Sequence, residues 1–287
     1  MNKISLIAII AGMVTLVSCS EKGPIIDFGG EKAVDTSYMQ TTVEGKMPRK
    51  VLVEEFTGVS CPPCPNGHRK LKQLGDQNPN RIVVIGYHIF NFPQAFPVEG
   101  KSKYDFRTED ATNVGKDLFG GVGQLPNAGI DRTSTNGKLL YDAGSWSGTI
   151  ENRLPVAAPV NVHIINTYDD ATREAIIKVQ VVYTEAISTP QHISLAIVED
   201  DIEDAQKDGL TEVEEYIHEH VLRAFITPFN GYAFLSGQEK TPGLVYERTF
   251  TYTVNEKWNA DNCKLIAFVS NDGENKEVLQ AEQVSLK

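Results

Sequence analysis

Two thiols stand three residues apart in Cys61-Pro62-Pro63-Cys64, and this is the stretch of the chain whose residue types can do chemistry. A pair at this spacing can interconvert between dithiol and disulfide. If Ser60 or Cys61 caps a helix that starts near Pro62, then Pro62, Pro63 and Pro65 fall in the first turn, where a missing backbone N–H costs little. The remaining amides, that of Cys64 included, can face the Cys61 sulfur. Those donors and the helix dipole favour a thiolate, which sharpens Cys61 as an attacking nucleophile. Cys64, one turn further in and less exposed, suits the resolving role. A zinc site is the competing chemistry, but it lacks a second cysteine pair, and no metal ligand set or cofactor is expected.

The flanking residues supply the elements that must position these thiols. Val51 to Phe56 is an apolar, β-branched run that reads as a strand, and Pro62 to Leu74 carries Leu71 and Leu74 at helical spacing with Arg69, Lys70 and Lys72 turned to water. Strand, short turn and C-x-x-C at a helix start resemble the thioredoxin superfamily. On that pattern Glu55 takes the place of the buried acid six residues before the first cysteine, and Phe56 the aromatic beside it. The resemblance implies that Glu55 shuttles the proton of Cys64; a surface carboxylate at a strand end is the other reading. Ser60 departs from the tryptophan that many thioredoxins carry there. The resemblance also implies a cis bond before Pro126, in Gly123-Gln124-Leu125-Pro126-Asn127-Ala128, with the Leu125 backbone as the dock for an incoming peptide and Cys61–Cys64 as the disulfide.

The order that follows is a strand at Ile82 to Tyr87, a lid-like loop from Asn91, a helix near Thr108 to Phe119, strands at Ala128 to Asp131 and Lys138 to Tyr141, and a helix near Ser145 to Leu154. That β-α-β-α-β-β-α order is expected of a thioredoxin-like α/β domain over residues 51–156. His88 either tunes Cys61 or is a loop histidine, and His68 reads as a helix-surface residue. Past Ala157 the pattern turns to strict alternation, with strands at Val160 to Tyr168, Ala175 to Tyr183, Ile193 to Val198, Val245 to Val254, Lys264 to Val269 and Glu277 to Val284. Residues 157–287 are therefore expected to form an all-β, immunoglobulin-like sandwich domain. Within it, Glu199 to Asp204 reads as a solvated acidic loop rather than a calcium site, His218-Glu219-His220 as a weak metal motif, and Cys263 as a half-buried free thiol.

Ahead of all this, residues 1–18 carry Lys3 and an apolar run from Ile4 to Val17, which is a secretory signal rather than a membrane span. Leu16-Val17-Ser18-Cys19 resembles a bacterial lipobox, which implies a diacylglyceryl thioether and an N-acyl chain on Cys19 and a membrane-anchored protein. Ser20 after that cysteine points to the outer membrane of a Gram-negative cell, facing the periplasm or the surface. Residues 19–50 read as the lipidated start and a tether, with a strand near Tyr38 to Val43. A net charge of −11 argues against nucleic acid as a partner.

Lipobox, CPPC segment, Tyr216 to Arg223 and the ending Val278-Leu279-Gln280-Ala281 together resemble the Omp28-related outer-membrane lipoprotein family. Two functions are compatible with these residues. One is a thiol–disulfide oxidoreductase acting on envelope or secreted proteins, with Cys61, Cys64, Glu55 and Pro126 at its centre and a separate redox partner. The other is a surface binding or adhesion lipoprotein in which Cys61–Cys64 is a static bridge and the sandwich does the binding.

Overall fold

A computed structural model describes residues 35–287; the expected signal sequence, the lipobox and Cys19 lie outside the described residues. The first half contains β1 (Asp35–Met39), β2 (Val51–Thr57), α1 (Cys64–Gln77), β3 (Ile82–His88), α2 (Glu109–Asn113, continued by a π-turn at Val114–Leu118), β4 (Asn127–Ile130), β5 (Leu140–Asp142) and α3 (Trp146–Arg153). The second half is strand after strand: β6 (Val160–Asp169), β7 (Glu174–Tyr183), β8 (Gln191–Glu199), β9 (Ile202–Asp208), β10 (Thr211–His218), β11 (Val221–Phe225), β12 (Tyr232–Phe234), β13 (Leu244–Thr253), β14 (Cys263–Asn271) and β15 (Val278–Ser285). The fold is thus mostly β with few helices, and its sheets are both mixed and antiparallel. Among the described residues no helix is long and apolar enough to cross a membrane.

One nine-stranded sheet runs through both halves in the order β15-β14-β8-β11-β3-β2-β4-β5, with β12 also on β8. β3 lies parallel to β2, β4 antiparallel to β2, and β11 parallel to β3 through Val221 opposite Gly86. A four-stranded antiparallel sheet, β1-β13-β7-β6, and the β9–β10 hairpin complete the strands. The expected separation at residue 156 therefore does not exist in the sheet. The free edge of β3 is filled by β11, a five-residue strand too short to announce itself by alternation.

Period-two alternation decides which core each residue enters. On β2 and β3, Val51, Val53, Ile82 and Val84 pack with Leu71, Leu74, Trp146 and Ile150 of α1 and α3, while Leu52, Phe56, Val83, Ile85 and Tyr87 face the opposite way. The latter meet Ala196, Val198, Ile266 and Phe268 of β8 and β14. The other faces of β8 and β14, carrying Ile193, Leu195, Ile197, Leu265, Ala267 and Val269, pack onto the four-stranded sheet through Val162, Val179, Val181 and Tyr246. The layers are thus the helices, the β2–β3 part of the nine-stranded sheet, its β8–β14 part folded over the first, and the four-stranded sheet. Face-to-face packing of two sheets is present in the second half, but not as an independent immunoglobulin-like domain, because one of its sheets continues into the first half. The tether is also shorter than expected. β1 pairs with β13, and the Arg49 guanidinium is buried against Asp131 at 3.1 Å with the Val278 carbonyl at 3.0 Å.

Candidate functional site

The helix that carries the thiols begins at Cys64, not at Pro62: Pro63 occupies the cap position and Pro65 the first turn. Its buried face is Cys64, Gly67, Leu71 and Leu74, an i, i+3, i+7, i+10 stripe, and it stops where Asn78 donates to the Leu74 carbonyl just before Pro79. Cys61 and Cys64 are joined by a disulfide with Cα atoms 5.4 Å apart. The Cys64 amide donates to the Cys61 carbonyl at 3.2 Å, so it closes the turn rather than facing the sulfur as expected.

Both cysteines are 0% exposed, which corrects the expectation that Cys61 stands more open than Cys64. The cover comes from two sides. From the segment after β3, the Gln94 carbonyl accepts the Ser60 amide at 2.9 Å, and Gly58 sits so close that a Cβ would lie 2.3 Å from that carbonyl oxygen and 2.5 Å from the Ala95 Cα. From the second half, β9 docks directly on the thiol turn. The Lys207 amide donates to the Val59 carbonyl at 2.8 Å, the Gly209 amide to the Pro62 carbonyl at 3.0 Å, and the Gln206 side-chain amide to the Gly58 and Cys61 carbonyls at 3.2 and 3.3 Å. An Arg69–Asp208 ion pair at 2.9 Å adds to the clamp.

Glu55 is buried beneath this turn on the helix side of β2, and its Oε1 has no hydrogen-bond partner. Burial alone pushes its carboxyl up to about 8, so near neutral pH it is a protonated acid that can give or take a proton. Gly67 of α1 is what lets it fit: a Cβ there would meet Oε1 at 3.0 Å and the Trp146 ring at 3.0 Å. The carboxyl is therefore not the surface group that the alternative reading required. Beside it, His68 Nε2 lies 3.8 Å from Oε1 and 2.7 Å from the Thr57 hydroxyl, while Nδ1 is 2.7 Å from the Tyr216 hydroxyl. Desolvation holds His68 down to about 3, so the ring is neutral. Tyr216, from β10, is raised to about 12 by burial and by Glu55. Glu55, His68 and Tyr216 all line a cleft of about 570 Å³.

Leu125 is buried in the same apolar cluster as Cys61 and Cys64, and the Leu125–Pro126 bond is cis, with β4 starting at Asn127. Cys61, Cys64, Glu55, Leu125 and Pro126 are thus placed at one end of β2 and α1. The other residues singled out in the sequence go elsewhere. His88 ends β3, buried with its ring 5.3 Å from that of Phe106, and its Nδ1 has no partner. In Glu199 to Asp204 only Asp201 and Glu203 are exposed as a solvated loop would have them; Glu199, Asp200 and Asp204 are buried. Glu199 pairs with Arg223 at 2.7 Å, Asp200 accepts the His220 amide at 2.7 Å and pairs with Lys264, and buried Asp204 accepts the Lys103 and Tyr104 amides at 2.7 and 3.0 Å. His218 ends β10 with its ring on the Ala205 carbonyl, and His220 lies past the strand with φ +60°, so the two do not share a strand face. Among the described residues no group of three or more His, Cys, Asp or Glu side chains is arranged to hold a metal. Cys263 is a free, buried thiol pushed up to about 12, chiefly by desolvation.

The residues that sequence reasoning missed are His68, Tyr216 and Gln206. His68 stands at Cys64 plus four, one turn along the buried face, which was a readable signal; Tyr216 and Gln206 belong to a polar hairpin whose docking on the first half has no sequence pattern.

The model of the family described as outer membrane protein Omp28 matches residues 116–287, a span that includes Pro126 and the β9–β10 hairpin but not the two cysteines. Among solved structures, HBP35 of Porphyromonas gingivalis is similar with a TM-score of 0.65 at 17% identity, covering 85% of this chain and 77% of that one. A crystal structure of a protein from Agrobacterium tumefaciens is similar with a TM-score of 0.52 at 11% identity, covering 85% and 97%. A domain of the outer membrane lipoprotein Omp28 from Porphyromonas gingivalis has a TM-score of 0.33 at 21% identity, covering 45% and 89%. No curated protein matches. The structural likenesses concern the fold; the family rests on the match over more than half of the sequence, and by that match the chain belongs to the Omp28 outer membrane protein family.

Proposed function

We propose that this outer membrane family member is a lipoprotein whose thioredoxin-like unit, residues 51–156, carries a thiol–disulfide couple of the cell envelope. The observation that supports it best is the pairing of a disulfide at the start of α1 with an unpartnered acid, Glu55, held protonated near neutral pH in the strand that leads into the turn. In the reduced protein a Cys61 thiolate attacks a substrate disulfide, and one substrate sulfur leaves as thiolate. Glu55 first gives up its own proton, its carboxylate takes the Cys64 proton, and the Cys64 thiolate displaces the second substrate thiolate, closing Cys61–Cys64. The Leu125 backbone docks the peptide beside the pair. Because both sulfurs are covered, the β9–β10 hairpin or the Phe92–Ala95 turn has to withdraw before a substrate reaches Cys61. In this reading Cys19 carries the lipid, the host is a Gram-negative cell, the substrates are envelope or secreted proteins with disulfides, and a separate partner resets the couple.

The complete burial of both cysteines favours a second reading, a binding lipoprotein in which the bridge is static. Equilibration of the chain lacking residues 1–23 in glutathione buffers, read by mass spectrometry, separates the two. A reduction potential between about −270 and −120 mV is expected of the couple, whereas one below about −300 mV marks a structural bridge.

A further inference from the structure

We infer that His68, backed by Tyr216, is the group through which Glu55 exchanges its proton with the cleft. The inference deepens the redox reading and rests on it for the purpose of the exchange, though the geometry stands on its own. Glu55 Oε1 is buried without a partner, and the His68 ring stands beside it, with Nε2 3.8 Å away and held 2.7 Å from the Thr57 hydroxyl. The Tyr216 hydroxyl sits 2.7 Å from Nδ1 on the far side of the ring. With the phenol donating to Nδ1, Nε2 carries the hydrogen, and a small tilt of the ring from Thr57 toward Oε1 places that N–H on the carboxyl. Glu55 borders the same cleft, but its Oε1 is buried, and His68 and Tyr216 form a string from that oxygen to the open space. The charged and titratable groups around the ring are Arg69 on α1, Asp208 on β9, and His218 and His220 at and beyond the end of β10. Arg69 and Asp208 are paired with each other, which leaves the string itself neutral.

The proton balance is reversible. When a substrate dithiol reduces Cys61–Cys64, Glu55 gives its proton to the departing Cys64 thiolate. His68 passes its Nε2 hydrogen to Oε1, Nδ1 takes the Tyr216 hydrogen, and Tyr216 is refilled from cleft water. Reoxidation drives each transfer backwards, so one half-reaction restores the imidazole tautomer that the other consumed. His68 and Tyr216 are positioning residues, acting through Glu55 and not on sulfur.

The test follows the protonated carboxyl of Glu55 by its infrared C=O band, identified by its loss in Glu55→Gln. His68→Leu removes the N–H that meets the carboxylate and is expected to raise the titration midpoint so that ionisation at a given pH falls at least about tenfold. His68→Gln keeps a side-chain N–H and is expected to return the midpoint close to that of the unaltered protein. On reduction by dithiothreitol the transient loss of that band, as Glu55 gives its proton to Cys64 and is refilled, is expected to last longer in His68→Gln and in Tyr216→Phe, neither of which can relay. An unchanged midpoint in His68→Leu, or a refilling as fast in Tyr216→Phe as in the unaltered protein, would overturn the inference, and Tyr216→Phe, which loses one hydroxyl, decides the matter if His68→Leu does not fold. The reduction potential of the unaltered protein judges the redox reading separately, because the carboxyl titration is observed whether or not the disulfide is catalytic.

Discussion

Glu54 and Glu55 are neighbours in β2, are both buried, and are treated in opposite ways by the fold. Alternation sends Glu54 between the sheets, where Arg132 grips it with two hydrogen bonds of 2.8 Å and the Tyr87 hydroxyl donates to it at 2.9 Å. Arg132 in turn lies over the Phe268 ring at 5.0 Å. Glu55 points to the helix side and receives no bond at Oε1. Glu54 has its countercharge and its hydrogen bonds in place, whereas Glu55, buried without a bond at Oε1, is held neutral by desolvation. The first is a fastening between layers and the second is chemical capacity, so adjacency in sequence says nothing about shared role.

The largest expected effect comes from breaking the fastened member. Arg132→Met leaves the buried Glu54 side chain without its guanidinium partner and is expected to cost about 3–5 kcal/mol in urea unfolding, while the double change Arg132→Met with Glu54→Leu recovers much of it. Glu55→Gln sharpens the contrast with the opposite sign. A carboxyl whose midpoint rises from about 4.5 unfolded to about 8 folded contributes stability that is whole below the lower value and is lost as pH rises through the upper one. Glu55→Gln is therefore expected to match the unaltered protein near pH 4 and to be the more stable of the two above pH 8, by on the order of 4 kcal/mol. Calorimetry across that range checks it, and a difference that does not grow with pH would mean Glu55 is charged in the folded state. The smallest effect belongs to the hairpin clamp. Arg69→Ala removes an exposed ion pair with Asp208 and is expected to change stability by less than about 1 kcal/mol, less still in high salt.

The chemistry-bearing stretch was readable because local rules governed it. A β-branched run made β2, Leu71 and Leu74 continued a helical stripe, and Cys61, Cys64 and Leu125 fell in one apolar cluster. Long alternating strands such as β6, β7, β13 and β14 were legible for the same reason. What failed was anything fixed by distant partners. β11 is five residues long and takes its place from the empty edge of β3. The acids from Glu199 to Asp204 look solvated until Arg223, Lys264 and the amides at Lys103 and Tyr104 reach them. His68 looked like a surface residue because Tyr216, which lies 148 positions later, is what turns it inward.

The long reach of the hairpin has a consequence for biogenesis. A ribosome delivers Cys61 and Cys64 well before Gln206, Lys207 and Gly209, so the two thiols exist for a time without the strand that later seals them. During that interval the two sulfurs are open to any redox agent that the chain meets. In the finished protein an agent that reaches the sulfurs must first displace what covers them.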